Sequence, residues 1–170
     1  SCSAGQGLFD SGSSFFHTDC FECDIGKSSL TGGTCDVCPT GKFVGNVGSS
    51  FCNICGSGSY AATVATIACT VCPAGTYLID IATVATAHDA LNDCVDCRIG
   101  TYLADAGTDI TAHDSETDCL ICATGTYAAS VGSSICSICE SGKYNPDAGT
   151  TASNHISCVS CNVNSANNGL

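Results

Sequence analysis

Residues 119–139 read Cys-Leu-Ile-Cys-Ala-Thr-Gly-Thr-Tyr-Ala-Ala-Ser-Val-Gly-Ser-Ser-Ile-Cys-Ser-Ile-Cys, and this stretch decides the fold. It opens and closes on a Cys-x-x-Cys pair, with a Gly-x-Tyr turn and a Val-Gly-Ser-Ser turn between them. The same frame continues in both directions. Sixteen of the 17 Cys fall into eight such pairs, at 20/23, 35/38, 52/55, 69/72, 94/97, 119/122, 136/139 and 158/161, and only Cys2 stands alone. Successive pairs start 15, 17, 17, 25, 25, 17 and 22 residues apart. Short periods of this kind predict an array of small units, each touching mainly its neighbours.

Within the units a second signature recurs as Gly41/Phe43, Gly58/Tyr60, Gly75/Tyr77, Gly100/Tyr102, Gly125/Tyr127 and Gly142/Tyr144, and it takes in all five Tyr of the chain. A Gly three residues past a Cys predicts a tight turn with positive φ or a close backbone approach. The ring two residues later is expected to lie over the cystine as a structural contact, since each aromatic buries a large area. Val47-Gly48-Ser49-Ser50 matches Val131-Gly132-Ser133-Ser134, and Asp105-Ala106-Gly107-Thr108 matches Asp147-Ala148-Gly149-Thr150. Short β-branched runs bounded by Gly, Ser, Asp and Asn predict small hairpins. Val37, Ile54, Val71, Ile121 and Ile138 before the second Cys favour extended backbone there.

No stretch predicts a helix of useful length. The expected fold is therefore small and disulfide-rich, mostly irregular with short β-hairpins, drawn out as an elongated tandem-repeat rod. Residues 1–19 form an N-terminal cap segment, 20–161 the tandem repeats and 162–170 an Asn-rich C-terminal tail. The pattern lapses at both ends, with Ser28 in the aromatic position of the first unit.

Composition agrees. Leu, Ile, Val and Phe make up only 34 of 170 residues, too few for a broad hydrophobic core, while Cys at one residue in ten marks a cross-linked scaffold. Sixteen acidic residues face four basic ones (Lys27, Lys42, Arg98 and Lys143), a net charge of -12. No basic patch can form, which excludes phosphate-tracking nucleic-acid binding. No apolar run reaches the roughly 18 residues of a membrane span. A start at Ser1 without an apolar leader fits a mature secreted protein, and such cysteine density belongs to an oxidising compartment.

Taken alone, the pair spacing is close to that of zinc ribbons, which would make four sites of four thiolates. The acidic, extracellular character and the Gly-x-Tyr turns favour disulfides. A thioredoxin-like role fails because no helix starts at any pair. Two connectivities remain open. A ladder joins the second Cys of one pair to the first of the next, as Cys2–Cys20, Cys23–Cys35, Cys38–Cys52, Cys55–Cys69, Cys72–Cys94, Cys97–Cys119, Cys122–Cys136 and Cys139–Cys158. The rival crosses adjacent pairs, 20–35 with 23–38, and leaves Cys2 over. The ladder is favoured because most of its loops carry one and the same motif. Each bridge is then worth about 2–4 kcal/mol in the chain-entropy model. It leaves Cys161 unpaired or intermolecular.

His88-Asp89 and His113-Asp114 are close copies, with His17 and His155 as partial ones. A calcium set drawn from Asp105, Asp109, Asp114 and Asp118 suits a hard cation, but no Asp-x-Asp-x-Asp-Gly loop exists, and turn formation is preferred. No Ser/His/Asp constellation for an enzyme is recoverable. Ala62-Thr63-Val64-Ala65-Thr66 is repeated letter for letter as residues 82–86. With Ile67, Ile79 and Ile81, these stretches, including Val64 and Val84, are expected to form an extended apolar edge. That edge either packs on a neighbouring unit or serves as an intersubunit seam. No Asn-x-Ser/Thr acceptor occurs, and abundant Ser and Thr leave room for O-linked glycans without placing them.

The string from Cys119 to Cys139 resembles the ephrin-receptor-like cysteine-rich repeat, a relative of EGF-like and TNF-receptor-like modules, over roughly residues 20–161. The long His-Asp units also look like surface proteins of single-celled eukaryotes, including ciliate surface antigens and EGF-like components of flagellar hairs (mastigonemes). Ser28, Ala65, Ala82 and the tail depart from the pattern. The resemblance implies a secreted, cell-surface module and supplies no binding residues. The reading is a non-enzymatic extracellular structural protein, a subunit of a filament or appendage that self-associates or meets other surface proteins. A monomeric surface-coat antigen or receptor-like ligand-binding ectodomain is the alternative. No cofactor is required, calcium being the one conceivable ion.

Overall fold

The computed structural model describes residues 2–9 and 19–161. The described chain forms eight two-stranded antiparallel hairpins in tandem, with no α-helix among the described residues. Hairpin one pairs Gln6–Phe9 with Asp19–Glu22. The others use strands of two residues: Lys27–Ser28 with Asp36–Val37, Lys42–Phe43 with Asn53–Ile54, and Ser59–Tyr60 with Thr70–Val71. Then follow Thr76–Tyr77 with Val95–Asp96, Thr101–Tyr102 with Leu120–Ile121, Thr126–Tyr127 with Ser137–Ile138, and Lys143–Tyr144 with Val159–Ser160. The sequence explains their brevity. A positive-φ Gly opens each two-residue strand pair, and its carbonyl accepts the N–H of the second Cys at the hairpin base, as in Cys38 N–H to Gly26 at 2.9 Å and Cys55 N–H to Gly41 at 3.0 Å.

Two compact units result. Unit one comprises Ser1–Cys72 with Leu78–Cys94, and unit two Pro73–Tyr77 with Val95–Leu170. In unit one the turn glycines pass hydrogen bonds from each hairpin to the next. Gly5, Gly26, Gly41 and Gly58 donate to the carbonyls of Ser29, Val44, Ala61 and Leu78 at 2.6–2.8 Å. In unit two Gly75, Gly100 and Gly125 donate to Leu103, Ala128 and Asn145 at 2.8–2.9 Å. These accepting residues form the thin core. Ser29, Val44, Ala61, Leu78, Leu103, Ala128 and Asn145 are all between 1% and 4% exposed.

That placement adds to the expectation for the rings. The aromatic residue is only half buried, or exposed as at Tyr144, and the residue after it is the one sealed inside. Alternation along a strand sends consecutive side chains to opposite faces, so the ring and its successor cannot both point inward. Tyr60 does pack against the cluster of Cys72, Leu78 and Cys94.

Eight disulfides run as a ladder: Cys2–Cys20, Cys23–Cys35, Cys38–Cys52, Cys55–Cys69, Cys72–Cys94, Cys97–Cys119, Cys122–Cys136 and Cys139–Cys158. Cys161 is free and exposed. Cys23, Cys38, Cys55, Cys72, Cys97 and Cys122 are fully buried, so cystine supplies much of the interior. The 1–19 segment divides: residues 2–9 contribute the first strand of hairpin one, closed by Cys2–Cys20, and 10–18, with His17, lie outside the described residues. The 162–170 tail also lies outside them.

Candidate functional site

The close approach that the turn glycines allow organises the surface. In unit one, a Cβ on Gly5, Gly26 or Gly41 would stand 2.0, 2.4 or 2.0 Å from the carbonyl oxygen of Gly48, Ala65 or Ala85, each in the loop two hairpins further on. In unit two the same relation links Gly75 to Gly132 at 2.1 Å and Gly100 to Ala152 at 1.9 Å. Side chains immediately before the covering residue therefore stand at the outer tip of each loop. In unit one these are Val47, Val64 and Val84, exposed at 58%, 58% and 52%. Three successive loops thus carry one solvent-facing Val each at an equivalent position.

The predicted extended apolar edge does not form. Residues 63–66 make a turn in which Ala65 takes φ 57° and the Thr66 hydroxyl donates to the Thr63 carbonyl at 2.6 Å. Ala82 takes φ 65°, and Ala85–Ala87 form a short 3-10 turn. One pentapeptide therefore adopts two conformations. In the second copy the Thr83 N–H donates to Asp80 at 2.9 Å, a cap with no counterpart in the first. The five assembly candidates Val64, Ile67, Ile79, Ile81 and Val84 all belong to unit one and are all exposed, Ile81 at 77%. The tip Val47 and its unit-two counterpart Val131 were legible in the aligned Val-Gly-Ser-Ser turns, although those read only as turns.

The longer loops hold a second feature, a buried imidazole. His88, His113 and His155 are each 0% exposed. Their Nε2 atoms lie 2.9, 3.0 and 2.8 Å from Oδ1 of Asp80, Asp105 and Asp147. Their Nδ1 atoms lie 2.8, 2.7 and 3.0 Å from the carbonyls of Ser59, Thr76 and Thr126 on the preceding hairpin. The sequence holds this signal as Asp-x7-His three times, whereas the adjacent His-Asp pairs drew attention to Asp89 and Asp114.

Each carboxylate is also the hub of its own turn. The Asp105 oxygens accept from the N–H of Gly107, Thr108 and Asp109 and from the Thr108 hydroxyl. Asp80 is held well below the usual carboxylate range, first by the Thr83 hydroxyl and then by His88. The Thr108 hydroxyl does the same for Asp105, and the Asn154 amide with His155 for Asp147.

Three of the four calcium candidates are engaged in the same way, Asp114 being the exception. Of the calcium candidates, Asp105 is saturated by the chain's own donors, Asp109 accepts from Thr111, and Asp118 accepts the Ser115 N–H. Among the described residues no group of three or more His, Cys, Asp or Glu could hold a metal ion. The Ser59 hydroxyl donates to Gly56 rather than to His88, so this Ser, His and Asp are not linked as a nucleophile and base. No described helix is long and apolar enough to cross a membrane. No protein-family model matches the chain, and no curated protein matches it. With eight bridges in 170 residues, it is a disulfide-stapled protein of the kind suited to an oxidising, extracellular setting.

Proposed function

We propose that this chain is an extracellular structural protein, a disulfide-stapled subunit that self-associates into a cell-surface filament or appendage. One observation carries the reading. Among the described residues only three large aliphatic side chains are buried (Val44, Leu78 and Leu103), against 23 large hydrophobics left exposed. Exposed apolar side chains that recur at equivalent positions suit contacts between copies. The tip valines Val47, Val64 and Val84, with Ile67, Ile79 and Ile81 in the same unit, supply the candidate seam.

This assignment gives the chain no catalytic role. Analytical ultracentrifugation and electron microscopy of the native, unreduced protein test it. Regular fibres or concentration-dependent oligomers are expected. Dispersed monomers at high concentration would instead favour a monomeric surface antigen or receptor-like ectodomain.

A further inference from the structure

The buried imidazoles of His88 and His113 sit between groups that can only accept hydrogen bonds. Nδ1 of His88 faces the Ser59 carbonyl at 2.8 Å, and Nε2 faces the Asp80 carboxylate at 2.9 Å. For His113 the partners are the Thr76 carbonyl at 2.7 Å and the Asp105 carboxylate at 3.0 Å. A neutral imidazole carries one N–H and one bare lone pair. In either tautomer it would set a lone pair against an acceptor inside the fold, at a cost that burial enlarges. Only the doubly protonated ring satisfies both contacts.

We propose that His88 and His113 are proton-operated clasps, which tie each long loop to the preceding hairpin when charged and loosen it when they give a proton to solvent. Each clasp has a charged partner on one side only. Asp80 or Asp105 faces the ring from its own loop, and the preceding hairpin presents an uncharged carbonyl. Other acids of these loops have partners of their own: Asp93 and Asp118 accept the N–H of Ala90 and Ser115, and Asp109 accepts the N–H and hydroxyl of Thr111. The sign follows. The clasp is fully made while the rings hold both protons, and it opens once either proton leaves. At the acid end the carboxylates stay charged, because their own turns hold them low.

His155 provides the contrast. Its Nδ1 lies 3.0 Å from the Asn145 amide nitrogen, so a neutral ring can accept a hydrogen bond there. The short loops provide a second contrast. The Ala61 N–H donates to the His88 carbonyl at 2.8 Å, while the Ser29 and Val44 N–H groups donate to Ser49 and Thr66 at 3.1 Å in loops without His. The clasp does not depend on whether the chain assembles.

Amide hydrogen exchange on the full chain tests it, corrected for intrinsic rates. Between about pH 5 and about pH 8, protection at Ala61 should fall by roughly tenfold or more, with Ser29 and Val44 unchanged. The His88→Gln variant should abolish that dependence at Ala61. Nitrogen-15 spectra should find both ring nitrogens of His88 and His113 protonated at the acid end. A single neutral tautomer throughout, an equal loss at all three amides, or an unaltered dependence in H88Q would overturn the proposal.

Discussion

At the scale of single residues, the turn glycines matter for what they leave out. Gly41 and Gly100 combine positive φ with a backbone oxygen 2.0 and 1.9 Å from where a Cβ would stand. An L side chain in that conformation costs about 1–2 kcal/mol before any clash is counted. Gly41→Ala and Gly100→Ala are therefore expected to destabilise the oxidised protein by roughly 2–4 kcal/mol, read from denaturant midpoints. Gly56→Ala, where nothing lies within 4 Å and φ is not positive, is the mild control. Ala65 and Ala82 are the reverse case, since they hold left-handed backbone where sister units place Gly48, Gly107, Gly132 and Gly149. Relief of their strain exceeds the extra entropy of a glycine in the unfolded chain. Ala65→Gly and Ala82→Gly should each gain about 0.5–1 kcal/mol, and a lowered midpoint in both would contradict this account.

At the scale of the loop, two designs satisfy one requirement. Each loop must return a carbonyl to the N–H that follows the preceding hairpin's first strand. Short loops do so through Ser49, Thr66 and Ser133, and long ones through His88 and His155. The longer loops also bring in a fully buried imidazole. Asp80, Asp105 and Asp147 hold both their turn and the ring, and their titration lies below the ordinary carboxylate range. A depressed folded value means stability that is complete above the unfolded value of about pH 4 and is lost as pH falls towards the folded one. Asp105→Asn should therefore lower stability near neutral pH and lose less on acidification than the parent, as thermal melts across pH would reveal. An unchanged acid limb would show that the carboxylate contributes nothing there.

At the scale of the molecule, covalent bonds replace burial. The bridges close sequence separations of 12 to 22 residues, each worth about 3 kcal/mol on the loop-entropy account. Reduction in buffer without denaturant should abolish amide protection throughout, and native protein should react with a maleimide at one thiol per chain, Cys161. Bridging of Cys161 within its own chain would break the ladder. Val64→Asp and Val84→Asp should block self-association while circular dichroism and the count of bridges stay unchanged, because both side chains face solvent. Assembly that survives both substitutions would remove the seam.

The Cys-x-x-Cys period and the Gly-x-aromatic offset were enough, by themselves, to determine a tandem, hairpin-bearing, disulfide-rich chain. Both are local, because a two-residue strand, its turn and its cross-link lie within one repeat. Tertiary structure alone decided which side chains the array encloses. Whether Tyr60 or Ala61 is sealed, and whether His88 meets Asp89 or Asp80, depends on how a hairpin lies against its neighbours. The identical pentapeptides state the reason most directly. Residues 62–66 and 82–86 share every letter, yet the Asp80 cap and the longer loop send the second copy into a 3-10 turn. Local propensity is too weak to choose between two such conformations, and the surrounding contacts choose instead.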